Sequence, residues 1–155
     1  MIYIYFYIEK MVLRFIKEMR KEECIFCKIK NKDIPSKIIF ENDSHLAFLD
    51  IFPISKGHTI IIPKNHYSNI EEINDYELAE IFKIVRKISI LIHEKLKIDG
   101  YNILQNNFPA AGQVINHFHV HIIPRNINDS KFKMKIPRNQ ATEDELNEVL
   151  NSLKS

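Results

Sequence analysis

The sequence predicts an α+β domain in which a five-stranded antiparallel sheet is covered by one long helix and followed by a short C-terminal helix. Three observations lead to this class. Apolar runs rich in β-branched and aromatic residues alternate with turn residues early in the chain, apolar residues then recur at helical spacing between residues 78 and 96, and a histidine-rich stretch near residue 120 alternates with period two. With 155 residues, 45% of them hydrophobic, the chain can bury one core without a second domain.

The first strands are predicted from apolar runs between turn residues. Asn42 to Ser44 is typical of a tight hairpin turn, and Pro53 and Pro63 end the second and third runs because proline lacks the N–H that a sheet ladder needs. The three predicted strands are Lys37 to Glu41, Leu46 to Ile51 and His58 to Ile62.

A long helix is predicted next. Asn74 and Glu77 form the signature of a capping box, and apolar residues follow at helical spacing to about Lys97. Gly100 ends this pattern, and Tyr101 to Asn106 is predicted to be the fourth strand. The apolar helix positions are Leu78, Ile81, Phe82, Val85, Ile88, Ile92 and Leu96.

A loop over residues 107–112 leads to the fifth strand, which carries three alternating histidines. Period-two alternation places the histidines on one face and the intervening apolar residues in a core. Neighbouring imidazoles then start roughly 6.6 Å apart at their Cα atoms, close enough to act on one phosphate or one metal ion. Strict alternation after Gly112 favours a functional site over unrelated surface histidines, and a phosphate site and a three-histidine metal site both fit. The histidines are His117, His119 and His121, and the intervening residues are Phe118, Val120 and Ile122.

The two ends of the chain are predicted to lie outside this core. Residues 1–22 form an N-terminal extension, apolar at first but too short for a membrane span, and then an amphipathic basic helix over Met11 to Lys21. Residues 126–138 are predicted to be a surface loop, and Thr142 to Glu145 caps a short terminal helix with one apolar face. That face is Leu146, Val149, Leu150 and Leu153.

Charge and cysteine content limit the partners and the compartment. A net charge of +2 gives no basic field for a nucleic-acid backbone, so we expect neither nucleic acid nor a membrane as partner. The only cysteines, Cys24 and Cys27, are too close together for a disulfide framework, which leaves zinc ligation, a redox pair or two plain thiols. We expect a reducing compartment, the cytoplasm or the nucleus, while the basic helix over Met11 to Lys21 leaves an organelle open.

The histidine stretch resembles the signature of the histidine triad (HIT) superfamily, His-x-His-x-His-x-x with apolar x, and further blocks resemble that family in the same order. The closest branch resembles the Hint group, also called protein kinase C-interacting protein, and its zinc-carrying microbial relatives. The resemblance implies a HIT domain over residues 23–125, followed by a C-terminal loop and helix over residues 126–155, and a homodimer. The matching blocks are Cys24 to Ile29, Ile34-Pro35, Ala47 to Ile51, Lys56 to Thr59, Ile62 to His66 and Asn106 to Arg125.

The resemblance also implies a hydrolase whose central histidine attacks phosphorus. His119 matches the nucleophile, which suits a neutral imidazole with a free pKa of about 6.5. His121 is expected to be a cationic donor, and the Gln113 side chain with the backbone of Gly112 to Val114 is expected to supply further hydrogen bonds. No acidic cluster for magnesium stands near the triad, which agrees with metal-independent catalysis.

The nucleotide site is implied by the same resemblance. Asp50 matches an aspartate that accepts both ribose hydroxyls, and Asn106 matches a residue that hydrogen-bonds the ribose or phosphate. Val114 departs from the Hint branch, which generally has a serine near the leaving group, so that step must use His121, Gln113 or water. The apolar slot for the base matches Ile25, Phe26, Ile29, Phe48 and Ile51.

In zinc-carrying relatives, the Cys-x-x-Cys pair joins two histidines. The matching set here is Cys24, Cys27, His66 and His117, which implies a closed Cys₂His₂ structural zinc site that frees His119 and His121 for chemistry.

These expectations define one leading function and three alternatives. The leading function is a purine nucleoside phosphoramidase that releases a nucleoside monophosphate, AMP above all, through a nucleotidyl-histidine. The alternatives are a dinucleoside polyphosphate hydrolase, a non-catalytic nucleotide-binding adaptor of the protein kinase C-interacting type, and a metalloenzyme with its metal on His117, His119 and His121.

Overall fold

The computed structural model describes Met11, residues 23–127, Asp129 and residues 139–155. Apart from Met11, the amphipathic helix predicted over Met11 to Lys21 lies outside the described residues, and so does most of the loop predicted over residues 126–138. The elements are α1 (Ile25–Lys30), β1 (Ile38–Glu41), β2 (His45–Leu49), β3 (Thr59–Pro63), α2 (Asp75–Leu96), β4 (Gly100–Leu104), a short 3₁₀ helix (Pro109–Ala111), β5 (Val120–Arg125) and α3 (Glu143–Lys154).

The five strands form one antiparallel sheet in the order β1-β2-β3-β5-β4. In its centre, β3 pairs with β5 so that Ile60 lies opposite His121 and Ile61 opposite Val120. Because side chains alternate between faces, Ile60 and His121 share one face while Ile61 and Val120 share the other. The predicted α+β class with an antiparallel five-stranded sheet is confirmed.

Helix α2 covers the Ile61 face of the sheet. Its apolar side packs on fully buried strand residues and on Phe118, which precedes β5. Asn74 caps the helix as predicted, since its side chain accepts a hydrogen bond from the Glu77 N–H at 2.9 Å. The buried Glu77 carboxylate is bound by Asn65, Tyr67 and the Asn74 side chain, so the predicted capping box is replaced by a small polar network.

The opposite face of the sheet is covered by α1, a six-residue helix that the periodicity did not predict. Phe26, Cys27 and Ile29 of α1 are buried against this face. The apolar cluster that holds α1 on the sheet is Cys24, Phe26, Cys27, Ile29, Leu46, Phe48, Ile60 and Ile62. The site described below lies on this face, between α1 and the sheet.

The boundaries of all five strands differ from prediction, those of β5 the most. Strand β5 begins at Val120, so His117 and His119 precede it and only His121 lies in the ladder. The reason is a bend in the chain, where the His117 N–H bonds the Ile115 carbonyl at 2.8 Å and the Phe118 N–H bonds the Tyr67 carbonyl at 2.6 Å. Strand β4 ends at Leu104 instead of residue 106.

Helix α3 forms as predicted, with a complete capping box between Thr142 and Glu145. None of its residues is buried against the rest of the chain. Among the residues that the structure describes, none of the helices is both long enough and apolar enough to span a membrane.

Candidate active site

A cavity of about 420 Å³ opens on the face of the sheet that carries α1. It lies between α1, the end of β2 and the loop that precedes β5, and it is mostly apolar with Asp50 and three histidines at one side. Most of the residues predicted to bind a nucleotide line it. They are Ile25, Phe26, Ile29, Phe48, Asp50, Ile51, Gly112, Val114, His119 and His121.

His119 is held with one ring nitrogen available for chemistry. Its Nδ1 lies 2.6 Å from the main-chain carbonyl of His117, and because a carbonyl can only accept, Nδ1 carries the proton and donates. Burial lowers the pKa of His119, an effect that the hydrogen bond to His117 only partly offsets. His119 is therefore a neutral imidazole at pH 7 whose Nε2 lone pair is available, as a nucleophile requires.

His121 stands beside His119, with ring centroids 4.8 Å apart. Burial, together with the neighbouring His119 and His58, lowers the pKa of His121 to about 4. The prediction of a cationic His121 is therefore wrong for this structure, because desolvation keeps the ring neutral at pH 7. On its other side, the Nδ1 of His121 lies 2.9 Å from the Nε2 of His58.

Asp50 lies at the mouth of the same cavity, at the end of β2. One carboxylate oxygen accepts the Phe52 N–H at 2.8 Å, and the other lies 3.3 Å from the Nδ1 of His58. A carboxylate has about four acceptor sites, so further sites remain for ribose hydroxyls. The position predicted to bind ribose is thus brought within reach of the histidines.

The loop before β5 uses most of its polar groups to hold its own shape. Gln113 is buried, with its carbonyl oxygen bonded to the Phe108 N–H and its amide bonded to the Ser68 and Ile115 carbonyls. The Gln113 side chain, predicted to be catalytic and to contact phosphate, does not line the cavity, because both ends of its amide are already bonded.

Two more predictions for this loop are corrected by the hydrogen bonds. The N–H groups of Gly112 and Gln113 bond to the carbonyls of Pro109 and Phe108, so of the three main-chain N–H groups from Gly112 to Val114 only that of Val114 makes no hydrogen bond within the described residues. Gly112 has φ +83°, a conformation that favours glycine. Asn106 does not line the cavity, since its side chain turns to the Gly112 carbonyl at 3.5 Å.

A second group of side chains lies behind His119 in the interior. Cys24, Cys27, His66 and His117 are all buried, and their potential ligand atoms lie within 4.8 Å of one another. The Sγ of Cys24 is 3.4 Å from the Nδ1 of His117, and the Sγ of Cys27 is 3.4 Å from the Nδ1 of His66 and 3.7 Å from that of His117. These are the four residues that the sequence predicts as ligands.

The geometry of this cluster suits a tetrahedral zinc ion. Zn–S bonds of about 2.3 Å and Zn–N bonds of about 2.05 Å place sulfur and nitrogen ligands about 3.6 Å apart in a tetrahedron. The observed separations of 3.4 to 3.7 Å match this value. The Nε2 of His117 donates to the Pro63 carbonyl at 2.9 Å, which leaves Nδ1 unprotonated and facing the sulfur atoms.

The thiol of Cys24 also ionises easily, which favours a bound cation. A hydrogen bond from Cys27 lowers the pKa of Cys24 to about 2 against the opposing effect of burial. Neither cysteine forms a disulfide bond within the described residues. In the part of the chain that the structure describes, no metal-ligand cluster joins His117 to His119 and His121, which argues against the predicted alternative of a three-histidine metalloenzyme.

One histidine of this site was not predicted to belong to it. His58 is 2% exposed, lines the cavity and contacts both Asp50 and His121. The strand that it was predicted to begin starts one residue later at Thr59. Period-two alternation puts His58 on the face of Ile60, the partner of His121, so the signal was present once the pairing of β3 with β5 is known.

Comparison with known proteins places these features in a family. The model of the HIT domain matches residues 31–128. An uncharacterized HIT-like protein of Methanocaldococcus jannaschii is 45% identical over 131 residues, which cover 84% of this chain and 98% of that protein. An adenosine 5′-monophosphoramidase of Schizosaccharomyces pombe is 45% identical over 102 residues, which cover 66% of this chain and 74% of that protein.

Solved structures show the same similarity. A HIT family protein from Bacillus subtilis superposes with a TM-score of 0.79 at 38% identity, covering 85% of this chain and 95% of that chain. A zinc-bound histidine triad family protein from Mycobacterium smegmatis superposes with a TM-score of 0.68 at 31% identity, covering 86% of this chain and 97% of that chain.

Proposed function

The chain belongs to the HIT family, and from that premise we propose that it is a hydrolase that releases AMP from phosphoramidate or phosphoanhydride substrates through a nucleotidyl-histidine at His119. The observation that carries the proposal is the hydrogen bond from His119 Nδ1 to the His117 carbonyl, which leaves a neutral Nε2 as nucleophile beside the nucleotide-sized cavity. The adenosine 5′-monophosphoramidase among its relatives supports the same substrate class.

The proposed reaction has two steps on one phosphorus atom. In the first, the Nε2 lone pair of His119 forms an N–P bond while the bond from phosphorus to the leaving group breaks, and the leaving group takes the bonding pair. A phosphate leaving group departs as an anion, whereas an amine takes a proton from solvent because Val114, 93% exposed, offers no protic group. In the second step, water attacks phosphorus, His119 departs as a neutral imidazole and a proton passes to solvent.

The remaining groups of the site are proposed to bind the nucleotide and to stabilise the charge on its phosphoryl oxygens, without forming covalent bonds. The ring N–H of His121 and the main-chain N–H of Val114 are the donors proposed for the phosphoryl oxygens, whose charge grows in the transition state. Asp50 is proposed to accept the ribose hydroxyls, and the apolar wall of the cavity, Phe48 and Ile25 included, to hold the base.

We also propose that Cys24, Cys27, His66 and His117 hold one structural zinc ion. Four protein ligands leave no open position, so the ion would stabilise the fold and would not bind substrate. The separations of the ligand atoms and the zinc-bound relative support this proposal. Because thiols bind zinc only in the reduced state, a reducing compartment such as the cytoplasm remains part of the proposal.

A homodimer is proposed through the free edge of β4. This strand ends the sheet, and Tyr101 and Ile103 on it are 38% and 46% exposed. An edge strand with exposed apolar side chains is a natural site for pairing with a second copy. Sedimentation equilibrium would test it, with Ile103→Lys expected to favour the monomer.

The experiment that tests the hydrolase compares substrates and variants in parallel. The zinc-loaded protein is incubated with adenosine 5′-phosphoramidate, adenylyl-lysine and diadenosine tetraphosphate, and AMP release is measured. Acid quench of a reaction with labelled adenylyl substrate should trap labelled protein. His119→Ala should lose turnover by about 10⁴-fold or more and trap no label, because the nucleophile is gone.

Two controls decide how the result is read. His93→Ala removes an exposed histidine of α2 outside the cavity and should keep wild-type turnover. AMP affinity of His119→Ala should persist, because Asp50 and the apolar wall are unchanged. Full activity of His119→Ala would refute the covalent mechanism, and AMP binding without turnover in the wild type would favour the nucleotide-binding adaptor.

A further inference from the structure

The buried ring of His58 stands between a loop and the catalytic histidines. It precedes β3, and its two ring nitrogens face different partners. The main-chain N–H of Ile54 lies 3.2 Å from Nδ1, and the Nδ1 of His121 lies 2.9 Å from Nε2. These two contacts determine where the protons of both histidines are.

The proton positions follow from the donors available. A main-chain N–H can only donate, so the Nδ1 of His58 accepts from Ile54 and carries no proton. Burial lowers the pKa of His58, although Asp50 opposes this, so the ring is neutral at pH 7 and its single proton lies on Nε2. That N–H then donates to the Nδ1 of His121, which leaves the proton of a neutral His121 on its own Nε2.

We propose that His58 is a positioning residue that holds His121 in the Nε2–H tautomer, so that a hydrogen-bond donor faces the cavity in place of a lone pair. This inference rests on the proposed function, because the donor acts on a phosphoryl oxygen of the bound nucleotide. No proton moves along the pair: if the neutral His121 gave up its Nε2 proton it would become an anion, so it stabilises charge as a donor only.

The opposite pair of tautomers conflicts with the hydrogen bond from the Ile54 N–H to His58. It would put a proton on the Nδ1 of His58, directed at the Asp50 oxygen 3.3 Å away, and His121 would then donate to His58 and present a lone pair to phosphate. That proton would meet the Ile54 N–H at the same nitrogen. The contact between Asp50 and His58 also lacks hydrogen-bond geometry in the described residues, whereas the contact from Ile54 has it.

Two substitutions of His58 separate the donor from the loop contact. In His58→Asn the side-chain oxygen takes the place of Nδ1 and accepts from Ile54, but the side chain is too short to reach His121. In His58→Gln the amide N–H can reach the position of Nε2 and donate to His121. Both variants replace the buried imidazole with a neutral amide side chain, so they form a matched pair.

The first readout is the tautomer of His121 in full-length, zinc-loaded protein. Protein labelled with ¹⁵N-histidine is studied by long-range ¹H–¹⁵N correlation spectra, and His121→Asn identifies the signals. We expect a protonated Nε2 and an unprotonated Nδ1 in wild type and in His58→Gln, and averaging between both tautomers in His58→Asn.

The second readout is turnover of the best adenylyl substrate. We expect kcat of His58→Asn to fall about tenfold, by analogy with the loss seen when the hydrogen-bond partner that orients a metal-binding histidine is removed. AMP affinity should stay near that of wild type. His58→Gln should recover most of this loss. A purely structural role predicts equal losses in both variants with an unchanged His121 spectrum.

Any of three outcomes would overturn the proposal. They are a wild-type His121 protonated on Nδ1, an unchanged tautomer in His58→Asn, and equal kcat in the two variants. If wild type hydrolyses no adenylyl substrate, the proposed function fails, while the spectra of wild type still decide the tautomer. If His58→Asn does not fold, the wild-type spectrum and His58→Gln remain decisive.

Discussion

Replacing Cys24 with serine should remove the metal and lower stability far more than turnover. Cys24 is the N-cap residue of α1 and does not line the nucleotide cavity, so the change acts on the metal cluster and on the apolar cluster beneath α1, and not on the substrate site. A serine hydroxyl is a poor zinc ligand compared with a thiolate, and three remaining ligands make an open site. Wild type should contain one zinc per chain and Cys24→Ser much less.

The magnitude follows from the fit of the cluster. Because the sulfur to nitrogen separations of 3.4 to 3.7 Å already suit a tetrahedron, little binding energy is spent on rearrangement. A metal at about 1,000 times its dissociation constant stabilises a protein by about 4 kcal/mol. For a chain of 155 residues, each kcal/mol shifts Tm by about 2–4 °C, so the loss should be about 8–16 °C.

The assay combines metal content, melting and activity. Zinc per chain is measured by mass spectrometry of the purified protein, Tm by circular dichroism, and kcat at a temperature well below both melting points. Glu23→Ser, a change of the exposed neighbour of Cys24, is the control and should leave all three unchanged. Unchanged zinc and Tm in Cys24→Ser, together with chelator-sensitive turnover, would refute the reasoning and move the metal to the catalytic histidines.

Two further predictions concern stability. Gly57→Ala should destabilise the fold by about 1–2 kcal/mol, since Gly57 has φ +87° and an added Cβ would lie 2.4 Å from the Leu96 Cδ1. The control is Gly100→Ala, where an added Cβ would have no atom within 4 Å. Equal urea midpoints for the two variants would contradict the prediction. The free energy of unfolding should fall as pH drops from about 6.5 towards 4, because unfolded histidine takes up a proton near pH 6.5 while burial holds the pKa of His121 at about 4. Urea melts should show a shallower fall for His121→Asn, and identical pH dependence would exclude His121 as a source.

The parts of the fold that the sequence predicted are those with a long repeating pattern. Helix α2 has the predicted N-cap at Asn74, and of its predicted apolar repeat the central positions are buried, whereas Phe82 and Leu96 are exposed. Helix α1 has six residues, and the side chain of its N-cap residue, Cys24, makes no capping hydrogen bond, so neither periodicity nor capping could reveal it. The resemblance placed residues near the site without showing that they form a helix.

At the site, the residue types were predictable but their hydrogen bonds were not. The metal cluster and most of the cavity wall match the prediction. Gln113 fails because an amide bonds whichever carbonyls the folded loop brings near it, here those of Ser68 and Ile115. The neutral state of His121 likewise depends on burial by surrounding elements, which a pattern of alternating residues does not contain.

His117 joins the two halves of the site through a single residue. Its ring Nδ1 faces the cysteines, while its main-chain carbonyl accepts a hydrogen bond from the Nδ1–H of His119. We expect a substitution at His117 to disturb the metal cluster and, through the backbone of the same residue, the carbonyl that orients His119, so in a genetic screen its loss of activity would resemble that of a catalytic residue. Substitutions at Cys24 and at His119 act on one half each, and a double mutant that combines them would show whether metal retention and catalysis are lost independently.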